Sequence, residues 1–560
     1  MQKVTTYFSE IQKKFWNWFL NQQISLWSGV GSFIFICLVR IFLENFSSES
    51  FDGLLTKPLY VINFILFYTS AFLSIMFIVK LFTKLSIRQI FTVQLFFFWI
   101  TALVPVVDLL VSSGACIDYI TQTGTDLLKQ IFTFGLYDTL SCGISWGIRS
   151  EVILFLLGVF SLIYHYAKKY KLLSAITGFI FSFISLMIIH ISLVGIIESV
   201  GQFFMNNIIH TQGSWIQNSL LINNHIYEVI QREISSEYIT YHIWMLFSSR
   251  ILFLFIFCWF IAIISTSYKS IFQWFLKTLS WKRIMFFFTV SLSGMTIANG
   301  VNFKTLENPV DIVGVITLGI IFIYQYITAT VVNDIEDQKI DILIHPERPL
   351  VTGVIELNSY KNLGIISFIL AILGATTFNY VCLFLIIIWQ GLYYIYSTKP
   401  FKLKRHWAPS FIVYIALGIT TLLIGYFSIS KEMIISFVPV QLVVTIGFFI
   451  GVSSLIKDVP DYKGDKQENI QTFAVVFGPF ITMICASTIY GIGSVVVSKI
   501  LTSPFISTYG VVTSIFLILF AVYIKDDTNS QNMLNYWTKT FIIIGSIMFI
   551  IIFFTQMLIR

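Results

Sequence analysis

Fifteen apolar runs of about 20 residues, spread along the whole chain, limit what it can fold into more than any other feature. A run of that length crosses the ~30 Å hydrocarbon core of a bilayer as one helix, since a helix satisfies its own backbone polar groups where there is no water. Six runs lie near residues 27–46, 59–82, 88–111, 150–167, 172–199 and 245–268. Nine more lie near 284–300, 309–331, 361–377, 379–396, 408–427, 434–456, 471–498, 506–524 and 537–558. The stretch 126–148, interrupted by Asp126, Lys129 and Asp138, reads as re-entrant or interfacial. Charged residues make up 11% of the chain against about 25% in a soluble domain, too few to cover a water-facing surface. A soluble enzyme, a disordered tail and a nucleic-acid binder are therefore excluded. The expected fold is an all-α polytopic membrane protein with about 15 transmembrane helices.

With a net charge of +7, the Lys and Arg residues serve as orientation signals. They collect in alternate loops, for example Lys168, Lys169 and Lys171, then Lys399, Lys402, Lys404 and Arg405, then Lys457, Lys463 and Lys466. This pattern puts the N-terminus on the cytoplasmic side of what is read as a prokaryotic cytoplasmic membrane, with Arg149 and Arg232 as exceptions. The long polar segment 200–243 then lies outside, as a contact for a further membrane partner. The short basic, aromatic segment 268–283 reads as an interfacial connector. It separates an accessory domain, residues 1–270, from a second domain, residues 275–560. Six scattered cysteines with no CxxC pair read as small buried hydrophobes.

The acids are unevenly placed. Residues 333–348 and 457–468 hold nine of the chain's 28 Asp and Glu residues. Asp334, Asp337 and Asp341 stand at i, i+3 and i+7, a spacing that puts three carboxylates on one helix face. Asp458, Asp461 and Asp465 repeat the spacing 124 residues later, and three spans separate the two motif-bearing ones. Like charges this close need a cation between them, and hard oxygen donors suit Mg²⁺, which takes one or two carboxylates per ion and completes its shell with water and phosphate. The pair reads as a clamp for Mg²⁺ and a diphosphate, with Arg348, Lys399, Lys404, Arg405 and Lys457 on the same side to meet phosphate oxygens. A transporter or lipid flippase using the acids to bind a cation or phosphate is the rival from another class; such sites usually lie at mid-bilayer.

Four blocks occur in order: NDxxDxxxD at Asn333–Asp341, PERPLVTG at Pro346–Gly353, YSTKPFKLKR at Tyr396–Arg405 and KDVPDYKGD at Lys457–Asp465. Together they resemble the UbiA superfamily of intramembrane prenyltransferases over residues ~275–560, with motif spacing nearest the digeranylgeranylglyceryl-phosphate, chlorophyll and homogentisate branch. The resemblance implies a nine-helix core after about six N-terminal helices. It also implies that Asp334, Asp337, Asp341, Asp458, Asp461 and Asp465 hold Mg²⁺ and serve catalysis. Asn333, Arg348, Tyr396, Ser397, Lys399, Lys404, Lys457 and Asn299 are implied to bind substrate, and Lys402 stands where arginine is common in the family. The implied reaction ionises the allylic C–O bond of a polyprenyl diphosphate and leaves a carbocation-like carbon for a lipophilic acceptor: a quinone precursor, an aromatic or a glycerophosphate. A phosphoribosyl-type transfer on the same fold is a further alternative. In the first half, Glu198, His190, Arg250 and the Arg149/Glu151 pair form no spacing that makes a site.

Overall fold

The computed structural model describes residues 14–22, 24–47, 58–112, 145–189, 236–278, 281–299, 309–344, 348–429, 438–467, 469–525 and 531–558. Among these residues thirteen helical segments are long and apolar enough to cross a membrane. Two further long helices, Trp281–Asn299 and Gln531–Leu558, bring the number to the fifteen apolar runs of the sequence. Residues 200–235 of the polar segment 200–243, residues 126–144 of the stretch 126–148, His190 and Glu198 lie outside the described residues.

The chain divides into two compact units. Among the described residues the first covers 14–189 and 236–272, and the second covers 273–558. The first contains α1 (Leu26–Ser47), α2 (Pro58–Phe82), α3 (Ile87–Phe97), α4 (Ile100–Ser112), α5 (Trp146–Tyr166), α6 (Lys171–Ile189) and α7 (Ser236–Ser267). The run expected at 88–111 is two helices, broken at Phe98–Trp99, where the Thr101 hydroxyl donates to the Phe98 carbonyl at 2.7 Å. Helix α4 also carries Pro105, which has no N–H for the helical ladder. Ile36, Phe72, Ile75, Ile163 and Ile263 form the core of this unit. Arg40, Glu44, Asp108, Glu151 and Arg250 are buried in it. Arg40 and Glu44 pair at 3.5 Å along α1, and Tyr68 donates to Glu151 at 3.3 Å. Arg149 stacks on Trp146 instead, 4.8 Å from the ring centroid.

A short helix, α8 (Lys269–Thr278), lies at the border between the units. The second unit then runs through α9 (Trp281–Asn299), α10 (Pro309–Ile344), α11 (Leu357–Ala375), α12 (Tyr380–Ser397), α13 (Trp407–Ile429), α14 (Val440–Lys457), two short helices α15 (Tyr462–Gln467) and α16 (Phe473–Phe477), α17 (Pro479–Ile500), α18 (Pro504–Tyr523) and α19 (Gln531–Leu558). Lipid tails are as apolar as leucine, so helices inside a bilayer gain little from hiding apolar surface; close van der Waals packing through small residues holds them instead. Two reciprocal glycine contacts do this here. A Cβ on Gly425 of α13 would fall 1.7 Å from the Ser291 carbonyl oxygen of α9, and one on Gly294 of α9 would fall 2.0 Å from the Leu422 carbonyl oxygen of α13. Gly491 of α17 and Gly510 of α18 meet Ser514 and Ser494 in the same crossed fashion. The outer faces are greasy. On α18, Phe505, Val512 and Leu519 follow one another at i+7 and are 63%, 60% and 63% exposed, as a lipid-facing stripe requires.

Candidate active site

At 36 residues α10 is about 54 Å long, well beyond the ~30 Å hydrocarbon layer, so its last third runs out of the apolar zone. Asp334, Asp337 and Asp341 lie on that last third and are 3%, 9% and 3% exposed. Buried carboxylates need compensation, and three cations supply it. Arg348, in the turn after α10, donates to Asp334 at 2.5 Å and to Asp341 at 2.8 Å. Lys402 stands 3.1 Å from Asp337, while Lys404 pairs with Asp337 and donates to the Asn333 side-chain oxygen at 2.8 Å. From α11, the Tyr360 hydroxyl donates to the second oxygen of Asp334 at 2.8 Å.

The second triplet departs from the expected single helix face. Helix α14 stops at Lys457, with Asp458 as its cap; residues 458–461 form a turn, and Asp465 sits on α15. Pro460 accounts for the break: it has no N–H and disfavours helical geometry at Val459 before it. The three carboxylates therefore fold around a turn, in which the Asp465 N–H donates to the Asp461 carbonyl at 2.9 Å. Lys457 stands 3.4 Å from Asp458. Its ammonium also bonds the Tyr396 hydroxyl and lies 5.0 Å from the ring centroids of both Tyr396 and Tyr414.

Backbone pairing joins the two motif regions. Gln471, just after α15, bonds both sides of His406: its N–H donates to the Arg405 carbonyl at 2.9 Å and its carbonyl accepts from Trp407 N–H at 2.9 Å. The Trp407 ring packs edge-on against Phe473 and Phe477 at 5.3 and 5.9 Å. The loop carrying Lys402 and Lys404 is thus fixed to the segment that follows the second triplet. Both sets of charge belong to one site, as their mutual fields also show. Burial lowers the pKa of Lys404, and Lys402 and Lys457 lower it further against the opposing pull of Asp337. Burial pushes the Asp458 carboxyl up to about 6, with Asp461 adding and Lys457 opposing. Burial, together with Asp458 and Asp461, pushes Asp465 up to about 7.

Of the other expected substrate-binding residues, Tyr396 is inside this cluster. Ser397 is fully buried, and its hydroxyl has no hydrogen-bond partner among the described residues. Lys399 is exposed, and Asn299 is the last residue of α9. Arg283, in the first turn of α9, lies beside the Tyr326 hydroxyl and within electrostatic range of Asp458. Sequence spacing did not point to Tyr360 or Tyr414. Lys402 stands in the basic loop where arginine is common in the family; in the structure its left-handed backbone (φ 40°) accompanies the reach to Asp337 and to the Glu336 carbonyl, 3.3 Å away.

The donor set fits Mg²⁺ in chemistry: six carboxylates, all hard oxygen donors. Among the described residues no three His, Cys, Asp or Glu side chains converge closely enough to hold a metal ion by themselves.

The model of the UbiA prenyltransferase family matches residues 285–551. The digeranylgeranylglyceryl phosphate synthase of Methanobrevibacter smithii is 27% identical over 263 residues, which cover 45% of this chain and 90% of that protein. The synthase of the same name from Sulfolobus acidocaldarius is 29% identical over 181 residues, or 31% of this chain and 59% of that protein. A UbiA homologue from Archaeoglobus fulgidus, solved with DMAPP and Mg²⁺, aligns with 50% of this chain and 97% of its own at 15% identity, with a TM-score of 0.35.

Proposed function

We propose that residues 285–551, which the model of the UbiA prenyltransferase family matches, form a prenyltransferase domain of that type, and that it moves a prenyl group from a polyprenyl diphosphate to a lipid-soluble or amphipathic acceptor with the help of Mg²⁺. The observation that carries this reading is the convergence of two aspartate triplets with Arg348, Lys402, Lys404 and Lys457 at the polar end of an otherwise apolar bundle. Asp334, Asp337 and Asp341 on one side, and Asp458, Asp461 and Asp465 on the other, would hold the metal. Bound magnesium supplies Lewis-acid neutralisation of the departing diphosphate. Arg348 and Lys404 have donors of the right kind for phosphate oxygens, and Asn333, Ser397 and Lys399 add further polar groups around them. Tyr396 and Tyr414 already offer their ring faces to one cation, Lys457, and the same faces favour positive charge developing on an allylic carbon.

Where the acids lie supports an enzyme over a transporter, because they stand at helix ends and not in broken helices at mid-bilayer. A glycerophosphate-type acceptor is the first to test, given the two similar synthases. By the distribution of Lys and Arg, the site opens on the cytoplasmic side of a prokaryotic membrane. Residues 1–270 act as an accessory unit outside the chemistry. The test is to incubate purified protein with Mg²⁺, a ladder of prenyl diphosphates and candidate acceptors, and to identify by mass spectrometry what gains isoprene mass. The expected result is a prenylated product with equimolar diphosphate, lost in Asp337→Ala and Asp461→Ala. Full diphosphate release in either variant would sink the proposal.

A further inference from the structure

The two aspartate triplets differ in how their charge is met. In the first, three carboxylates face three cations: Arg348 spans Asp334 and Asp341, and Lys402 and Lys404 both hold Asp337. In the second, the cation paired among the described residues is Lys457, on Asp458, and its ammonium is shared with Tyr396. When its acids are ionised, that triplet keeps a net negative charge even with Arg283 within electrostatic range of Asp458. Adding a dication to the neutral first triplet would leave a surplus of positive charge in a buried place, unless an anion arrived with it.

We infer that the two triplets load in order, a deepening of the metal–diphosphate reading on which it rests. The Asp458–Asp461–Asp465 triplet takes a dication before any diphosphate is present. The Asp334–Asp337–Asp341 triplet takes one only when a diphosphate draws Arg348 and Lys404 off its carboxylates. No bond is made or broken in this exchange; guanidinium and ammonium donors pass from carboxylate to phosphate oxygens, and the freed carboxylates turn to the metal. By linkage, diphosphate and the second dication must tighten each other's binding by the same factor. Arg348 is thus a built-in substitute for a metal at the first triplet, which keeps that half of the site neutral between turnovers.

The test counts bound Mn²⁺ by electron paramagnetic resonance on the purified full-length chain at pH 8, with and without inorganic pyrophosphate. The wild type is expected to hold about one Mn²⁺ alone and to gain another with pyrophosphate. Asp461→Asn and Asp465→Asn lose the pyrophosphate-independent ion, and Asp334→Asn keeps it. Arg348→Gln, which uncovers Asp334 and Asp341, holds two ions without pyrophosphate, while Arg348→Lys behaves as wild type. Two ions on the wild type without pyrophosphate, or a first ion that Asp334→Asn loses and Asp461→Asn keeps, would overturn the order while leaving the metal–diphosphate reading intact. No bound Mn²⁺ even with pyrophosphate would overturn both.

Discussion

Tyr360→Phe isolates one bond in the site. The phenol donates to Asp334 at 2.8 Å from a position with no exposed surface, and Arg348 holds the other oxygen of the same carboxylate. The substitution keeps the ring and removes one hydrogen bond to a charged acceptor, which is worth about 1.5–3 kcal/mol when buried. For a domain of this size each kcal/mol corresponds to roughly 2–4 °C in melting temperature, so a fall of about 3–12 °C is expected. The larger effect should be on metal use. Asp334 is a proposed ligand, and losing the group that orients a ligand typically costs about 10–100-fold in metal affinity or activity. The assay is prenyl transfer against Mg²⁺ concentration, together with a thermal melt in detergent. A rise of that order in the Mg²⁺ needed for half-maximal turnover, with near-normal rates at saturation, is the expected result. If Tyr360→Phe melts within a degree of wild type and needs no more Mg²⁺, then Tyr360 does not position Asp334 and the assignment of that carboxylate is wrong.

Gly425→Ala tests the helix contact behind the site: its Cβ would strike the Ser291 carbonyl at 1.7 Å, so α9 and α13 must separate, at a cost of about 1–3 kcal/mol or more seen as a lower melting temperature. Gly545→Ala, where an added Cβ meets nothing, is the control that should melt as wild type. The pH dependence follows from Asp465, whose carboxyl is pushed from 3.8 up to about 7. A raised carboxyl stabilises the metal-free fold fully below its unfolded value and loses that contribution as pH rises through about 7. Mg²⁺ favours the ionised form, so the rise in melting temperature on adding Mg²⁺ should be larger at pH 8 than at pH 6; equal shifts would rule out Asp465 as a ligand. Lys404→Gln removes a buried partner of Asp337 and should raise the KM for the prenyl diphosphate more than Lys399→Gln, which removes an exposed cation.

The sequence by itself determined the spans, the register of the first triplet and the presence of a second, because each depends on local properties. Twenty apolar residues become a helix in lipid wherever they occur, and i, i+3, i+7 spacing is a helical face whatever packs on it. The break that bends the second triplet was also written locally, in Pro460, though the repeated spacing hid it. Tertiary structure alone decided which cations answer which acids. Tyr360 reaches Asp334 across 26 residues, Lys404 reaches Asp337 across 67, and Lys457 reaches Tyr396 across 61. Such pairs follow from how α10 to α14 pack, and that packing depends on contacts such as Gly425 against Ser291, which composition and periodicity do not encode. The unequal neutralisation of two triplets with identical spacing follows from the same cause: spacing records where the carboxylates stand along the chain, and folding determines which cations lie within reach of them.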